Sequence, residues 1–238
     1  MKTKPFTITD NEKELVKSLL QKITETKRDR FSVVNLETIY GFLNKKEIVF
    51  LKKLLTLNPQ EYGFKGEFFG IDDVPKDLIE IEGQKYKVDT EEGFAEIGVR
   101  YLPKKVYKAY MKMNDAMLKD IGKKLLIASG YRSSAYQLFL FVWYLNMYEF
   151  DIEQTVKRVA MPGYSEHCMN DNVAIDFITT NGIPNENDER RFEDTKEYEW
   201  LLRNASRFDF KESYPKDNDF GISYEPWHWK YGIMVKNL

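Results

Sequence analysis

Residues 122–148 read GKKLLIASGYRSSAYQLFLFVWYLNMY, and the order of events along them decides the fold class. Gly122 is a natural helix stop, because glycine adopts the left-handed backbone that closes a helix. Leu125-Leu126-Ile127-Ala128 is an apolar run of strand length. It enters a polar, glycine-bearing turn, Ser129-Gly130-Tyr131-Arg132-Ser133. From about Ala135 to Tyr148, Leu, Phe and Trp occupy most faces of a second helix, which predicts a central, buried position. Upstream, Val106, Tyr110, Met113, Met117 and Ile121 recur at helical spacing and predict a long amphipathic helix whose methionines fill core. Downstream, the texture predicts a strand over 172–179, a helix over 198–208 and a last strand over 227–233. Helices and strands alternate irregularly, not in strict βαβ order. The fold class expected is therefore α+β, with a small, mostly antiparallel central sheet flanked by helices.

The first 70 residues read differently. Thr9 and Asp10 are candidate caps, and Leu15, Leu19, Leu20 and Ile23 form an apolar stripe. Leu36, Ile39, Tyr40 and Leu43 repeat it, as do Ile48, Leu51 and Leu55, before Asn58-Pro59 stops the run. We expect an N-terminal helical region over 1–70, a cap or partner-binding attachment, and a chemistry-bearing domain over 71–238. From Gly70 onward, Pro75 and several glycines break up short extended runs.

Composition narrows the function classes. The 238 residues are 42% hydrophobic and 15% aromatic, with 36 basic against 38 acidic side chains. Such a chain can bury a sizeable core, unlike a disordered one. Its basic residues are spread among acidic ones, so no nucleic-acid footprint is expected. No run of eighteen apolar residues exists, so no transmembrane segment is expected. The single cysteine, Cys168, rules out an internal disulfide. As written, the N-terminus shows no apolar signal core, which predicts a cytoplasmic protein, or one of the cell envelope if a leader was removed.

The chain has only two histidines, His167 and His228, and both sit beside carboxylates. Ser165-Glu166-His167, then Asp176, then Glu225-Pro226-Trp227-His228 supply two imidazoles and a carboxylate, a set able to hold zinc with one position left for water. Metal-bound water becomes a good nucleophile near neutral pH, and Glu225 is the candidate base to take its proton. A histidine is more often a satisfied core or surface residue, so spacing alone leaves metal binding open. The motif His-Glu-x-x-His is absent.

Four motifs together, Ser129-Gly-Tyr-Arg-Ser133 with Gln137, Pro162-Gly-Tyr-Ser-Glu-His167, Ala174-Ile-Asp176 and Glu225-Pro-Trp-His228, resemble a VanY-type D-alanyl-D-alanine carboxypeptidase. That zinc peptidase family includes D-Ala-D-Ala dipeptidases, L,D-carboxypeptidases and some phage endolysins. The resemblance spans roughly residues 71–238 and implies Zn2+ held in a cleft by His167, Asp176 and His228. It implies Glu225 as general base and Arg132 as the group that steadies the scissile carbonyl. Ser133 and Gln137 would lie near the peptide, and Ser165 would support the site. The implied partner is a peptidoglycan stem peptide or precursor. The activity so implied is removal of the terminal D-alanine. An L,D-carboxypeptidase, D,D-dipeptidase or endolysin of the same family, and a domain that keeps zinc but performs no hydrolysis, are the alternative readings.

Two departures from the family pattern bear on the site. The step from His167 to Asp176 is nine residues where the family has seven, which puts Asn172 at a glycine position and makes Asp171 a competing ligand. Ser213 precedes Tyr214-Pro215 where relatives often carry arginine, and no role is assigned to it. Cys168, placed on a strand, would point to the face opposite His167. Glu225 and His228, three apart, would face opposite sides of a plain strand, so the base assignment needs a bend at Pro226.

Overall fold

The computed structural model describes residues 6–26, 30–88, 93–184 and 192–232. They form two compact units. One is drawn from Met1–Asp73, Ser133–Ser165 and Asp219–Ser223; the other from Val74–Arg132, Glu166–Asn218 and Tyr224–Leu238.

The first unit is helical. Helices α1 (Asp10–Thr26), α2 (Leu36–Tyr40), α3 (Lys45–Leu54), α5 (Ser134–Met147) and α6 (Ile152–Arg158) surround one apolar core. Val16, Leu19, Ile23, Phe50 and Leu54 meet Leu138, Phe141, Val142, Leu145 and Val156 there. Local chemistry starts the helices. The Thr9 hydroxyl accepts the Glu12 N–H while the Glu12 carboxylate accepts the Thr9 N–H, and Asn44 and Glu47 repeat this reciprocal cap at α3. As expected, α5 lies at the centre of this core, but Trp143 and Met147 on one flank are 44% and 48% exposed.

The second unit carries the sheet. Strands β5 (Leu125–Ser129), β6 (Ala174–Thr179), β8 (His228–Tyr231) and β7 (Phe210–Glu212) lie in that order, each pair antiparallel. Two small antiparallel pairs precede it: β1 (Leu78–Ile81) with β4 (Arg100–Pro103), and β2 (Gln84–Lys87) with β3 (Phe94–Ile97). Helix α4 (Lys104–Ile121) ends at Gly122 in the left-handed region, φ 67°, as the sequence predicts. Its Tyr110 stacks on Phe177 of β6, centroids 6.1 Å apart. That contact assigns one face of the sheet to the core. Asp176, adjacent to Phe177 along the strand, therefore faces the other way. The chain is α+β, and no described helix is long and apolar enough to cross a membrane.

Strand β5 lies at the edge of its sheet, and side chains pair its outer backbone groups. Asn114 on α4 accepts the Leu125 N–H at 3.0 Å and donates to the Leu125 carbonyl at 2.8 Å. Gln84 on β2 does the same for Ile127, at 2.9 and 3.2 Å. The predicted helix over 198–208 is α7 (Lys196–Asn204) followed by a 3-10 turn over Ala205–Phe208. The last strand runs from His228 to Tyr231, and Ile233 of the predicted span lies outside the described residues.

Candidate metal centre

Register places the first two candidate ligands. Asp176 on β6 stands directly opposite His228 on β8, so both side chains project from the same face. A register shift between Ile127 and Ser129 brings Ser129 opposite Asp176 on its other side. An irregularity of this kind re-aims the chain at a strand end, here into the turn that carries Arg132. The third candidate, His167, comes from a 3-10 turn over Glu166–Cys168. That turn corrects the expectation of a strand at Cys168, which is buried beside the histidine. The backbone fixes the turn to the Arg132 segment, the Arg132 N–H donating to the His167 carbonyl at 2.9 Å.

His167, Asp176 and His228 bring one ligand atom each within 4.8 Å of one another. Oδ2 of Asp176 lies 3.1 Å from Nε2 of His167, and Oδ1 lies 2.8 Å from Nδ1 of His228. Zinc bonds of about 2.0–2.1 Å set tetrahedral donors roughly 3.3 Å apart, close to each of these two histidine–carboxylate distances. The remaining nitrogen of each ring is anchored. Nδ1 of His167 is 2.9 Å from the Gly130 carbonyl, and Nε2 of His228 is 3.0 Å from Oε2 of Glu166. Anchoring of this sort holds a ligand imidazole in one tautomer and one orientation.

Electrostatics point the same way. Burial and the nearby Arg132 guanidinium bring His167 down to about 4, against the pull of Asp176. The ring is neutral at ordinary pH, and its Nδ1 must carry the proton because a carbonyl can only accept. Its Nε2 therefore turns a lone pair toward the Asp176 carboxylate. Two electron-rich atoms 3.1 Å apart with no proton between them form a cradle for a cation. Burial alone would raise Asp176, but the hydrogen bond and charge of His228 hold it well below the usual carboxylate range. Burial opposes the charge on His228 too, yet Asp176 and Glu166 raise it to about 10. Glu166, despite burial, is brought down to about 2 by His228 and Lys230.

The bend required at Pro226 is present. The His228 N–H donates to the Glu225 carbonyl at 3.0 Å, and the Trp229 indole N–H donates to the Pro226 carbonyl at 2.9 Å. Residues at the two ends of such a turn share a side. Oε2 of Glu225 accordingly lies 3.8 Å from Nδ1 of His228. Arg132 donates from Nε to the Ser129 hydroxyl at 2.8 Å and from a terminal nitrogen to Asp176 at 3.0 Å. Asp171 is exposed on the preceding turn and outside the group of three.

The other residues implied by the resemblance lie in the helical unit. Ser133 caps α5, its hydroxyl accepting the Tyr136 N–H at 3.1 Å. Gln137 is buried and donates to the Ala160 carbonyl at 2.8 Å, with Oε1 left without a hydrogen-bond partner. Ser165 is buried. Sequence reasoning gave no role to Glu166 or Ser213, yet Ser213 donates to Glu166 at 2.5 Å, and Lys230 pairs with Glu166 at 3.0 Å. The only signal was a carboxylate adjoining a candidate ligand.

Comparison with known proteins identifies the family. Residues 99–234 match the family model VanY, described as D-alanyl-D-alanine carboxypeptidase. The chain is 32% identical over 186 residues to the Bacillus subtilis (strain 168) protein YodJ, covering 76% of this chain but only 60% of that protein. It is 30% identical over 137 residues to the bifunctional D-Ala-D-Ala dipeptidase and carboxypeptidase VanXYC of Enterococcus gallinarum, covering 55% of this chain and 67% of that one. Its fold is similar to the solved structure of the LD-carboxypeptidase LdcB, with TM-score 0.55 and 27% identity, over 74% of this chain and 79% of that chain. The family model covers more than half of the sequence, and the chain belongs to the VanY family of D-alanyl-D-alanine carboxypeptidases.

Proposed function

We propose that this protein is a zinc-dependent carboxypeptidase that releases the terminal D-alanine of a peptidoglycan stem peptide or its precursor. The observation that carries the reading is the convergence of His167 Nε2, the Asp176 carboxylate and His228 Nδ1, with Glu225 alongside. His167, Asp176 and His228 would hold the zinc, which would supply a Lewis acid for the peptide carbonyl and a lowered pKa for water. Glu225 takes the proton of the attacking water and delivers it to the leaving amine as the C–N bond breaks. Arg132 commits two of its N–H donors to Ser129 and Asp176. Its remaining donors serve the oxyanion that develops on the scissile carbonyl. Ser133, Gln137 and Ser165 are assigned to the peptide by resemblance to the family.

A purely structural zinc site needs no carboxylate beside an open coordination position, so Glu225 favours an enzyme over a binding module. An L,D-carboxypeptidase is the second reading, favoured by the fold similarity to LdcB. VanXYC, a dipeptidase as well as a carboxypeptidase, keeps dipeptide release within the same chemistry. Stem peptides ending in D-Ala-D-Ala, and tetrapeptides with an L,D terminal bond, decide between them when incubated with purified protein of known zinc content. We expect D-alanine release that a chelator stops and added zinc restores. Protein that carries one zinc and cuts none of these peptides contradicts the reading.

A further inference from the structure

His228 has partners on both sides of its ring. Asp176 and Glu225 lie on the Nδ1 side, at 2.8 and 3.8 Å. Glu166 holds the Nε2 side, at 3.0 Å, with only 10% of its side chain exposed. An imidazole can turn about its Cβ–Cγ bond and present carbon where a nitrogen is needed, so a ligand joined through Nδ1 requires a fixed ring plane. Glu166 is in turn held from two directions. The Ser213 hydroxyl donates to Oε2 at 2.5 Å, and the Lys230 ammonium reaches Oε1 at 3.0 Å. Lys230 lies two residues beyond His228 on β8 and thus projects from the same face.

We infer that Glu166 is the positioning residue of the metal centre: it locks His228 with Nδ1 toward Asp176, and Ser213 and Lys230 lock Glu166. This rests on the zinc reading above. The first of the two ligand histidines thereby adjoins in sequence the residue that orients the second. The Ser213 contact also gives a role to a position where relatives often carry arginine.

Zinc affinity, measured by chelator competition, and the imidazole nitrogen NMR signals of the zinc-loaded protein test this together. With two histidines in the chain, the spectrum is simple. In wild type we expect His228 to be protonated at Nε2 and metal-bound at Nδ1. Glu166→Ala should bind zinc about 10–100-fold more weakly and lose the ordered Nε2 proton signal. Glu166→Gln keeps an oxygen that accepts that proton and should recover most of the affinity and the signal. Unfolding of the metal-free variants controls for folding, and if the alanine variant does not fold, the nitrogen signals of the glutamine variant carry the test. Zinc bound by Glu166→Ala as tightly as by wild type, with unchanged His228 signals, overturns the inference. So does a glutamine variant that folds but loses the Nε2 signal. Wild-type protein that binds no zinc overturns the metal reading itself, and this inference with it.

Discussion

Asp176 and His228 are a directly opposed pair on adjacent antiparallel strands, with Oδ1 and Nδ1 2.8 Å apart. A one-residue slip of β8 would send His228 to the face occupied by Phe177 and Trp229, so the core packing that fixes register also fixes the candidate ligand set. The centre is thus built mainly on sheet, with His167 contributed by a single tight turn whose backbone bonds to the Arg132 segment.

Arg132→Ala should lower kcat/KM by about 10²–10³-fold, the usual loss when an oxyanion donor is removed. Zinc content should stay at the wild-type level, because Arg132 supports Asp176 without being a ligand. Steady-state kinetics beside metal analysis check this, and loss of zinc would make Arg132 a structural support only.

Gly130→Ala should damage both fold and centre. A Cβ at this position would sit 2.4 Å from the Tyr101 carbonyl oxygen and 3.0 Å from Leu102. The same residue's carbonyl anchors Nδ1 of His167. We expect a loss of about 1–3 kcal/mol in urea unfolding, together with weaker zinc binding.

Much of this was legible beforehand, and the failures have physical causes. The α4 helix, the strand at 125–129 and the bend at Pro226 rest on periodicity and local backbone rules, which a sequence states directly. The pairing of Glu166 with Ser213 and Lys230 joins residues 47 and 64 positions apart, and only register brings them together. The shared core of residues 133–165 with the N-terminal helices was equally hidden. An apolar stripe shows that a face is covered, but not by what. The strand expected at Cys168 failed because three residues are too few to tell a 3-10 turn from a strand.

Asn114→Ala should cost about 1–3 kcal/mol, because it strips the Leu125 N–H at the sheet edge of its buried partner. The Leu125 carbonyl keeps the Tyr110 hydroxyl, at 2.8 Å, so the orphaned N–H is the dominant loss. Chemical denaturation of the variant measures it.

Glu47 gives the helical unit an acid sensitivity. Its side chain is buried, which alone would raise its pKa, but Lys22, the Asn44 N–H and Ser18 hold it below the usual carboxylate range. A carboxylate lowered by folding stabilises above its unfolded value of 4.5, and that stability fades as pH falls through the folded value. Glu47→Ala should therefore cost about 1–2 kcal/mol at neutral pH, the scale of a lost cap. The deficit should shrink below pH 4, as melting curves at the two pH values will show.

The most direct test sets Glu225→Ala beside His228→Ala and measures bound zinc and D-alanine release for each. The account predicts that Glu225→Ala keeps one zinc and loses turnover by about 10²–10⁴-fold, while His228→Ala loses both. Turnover at the wild-type rate without Glu225, or zinc held as tightly without His228, would contradict it.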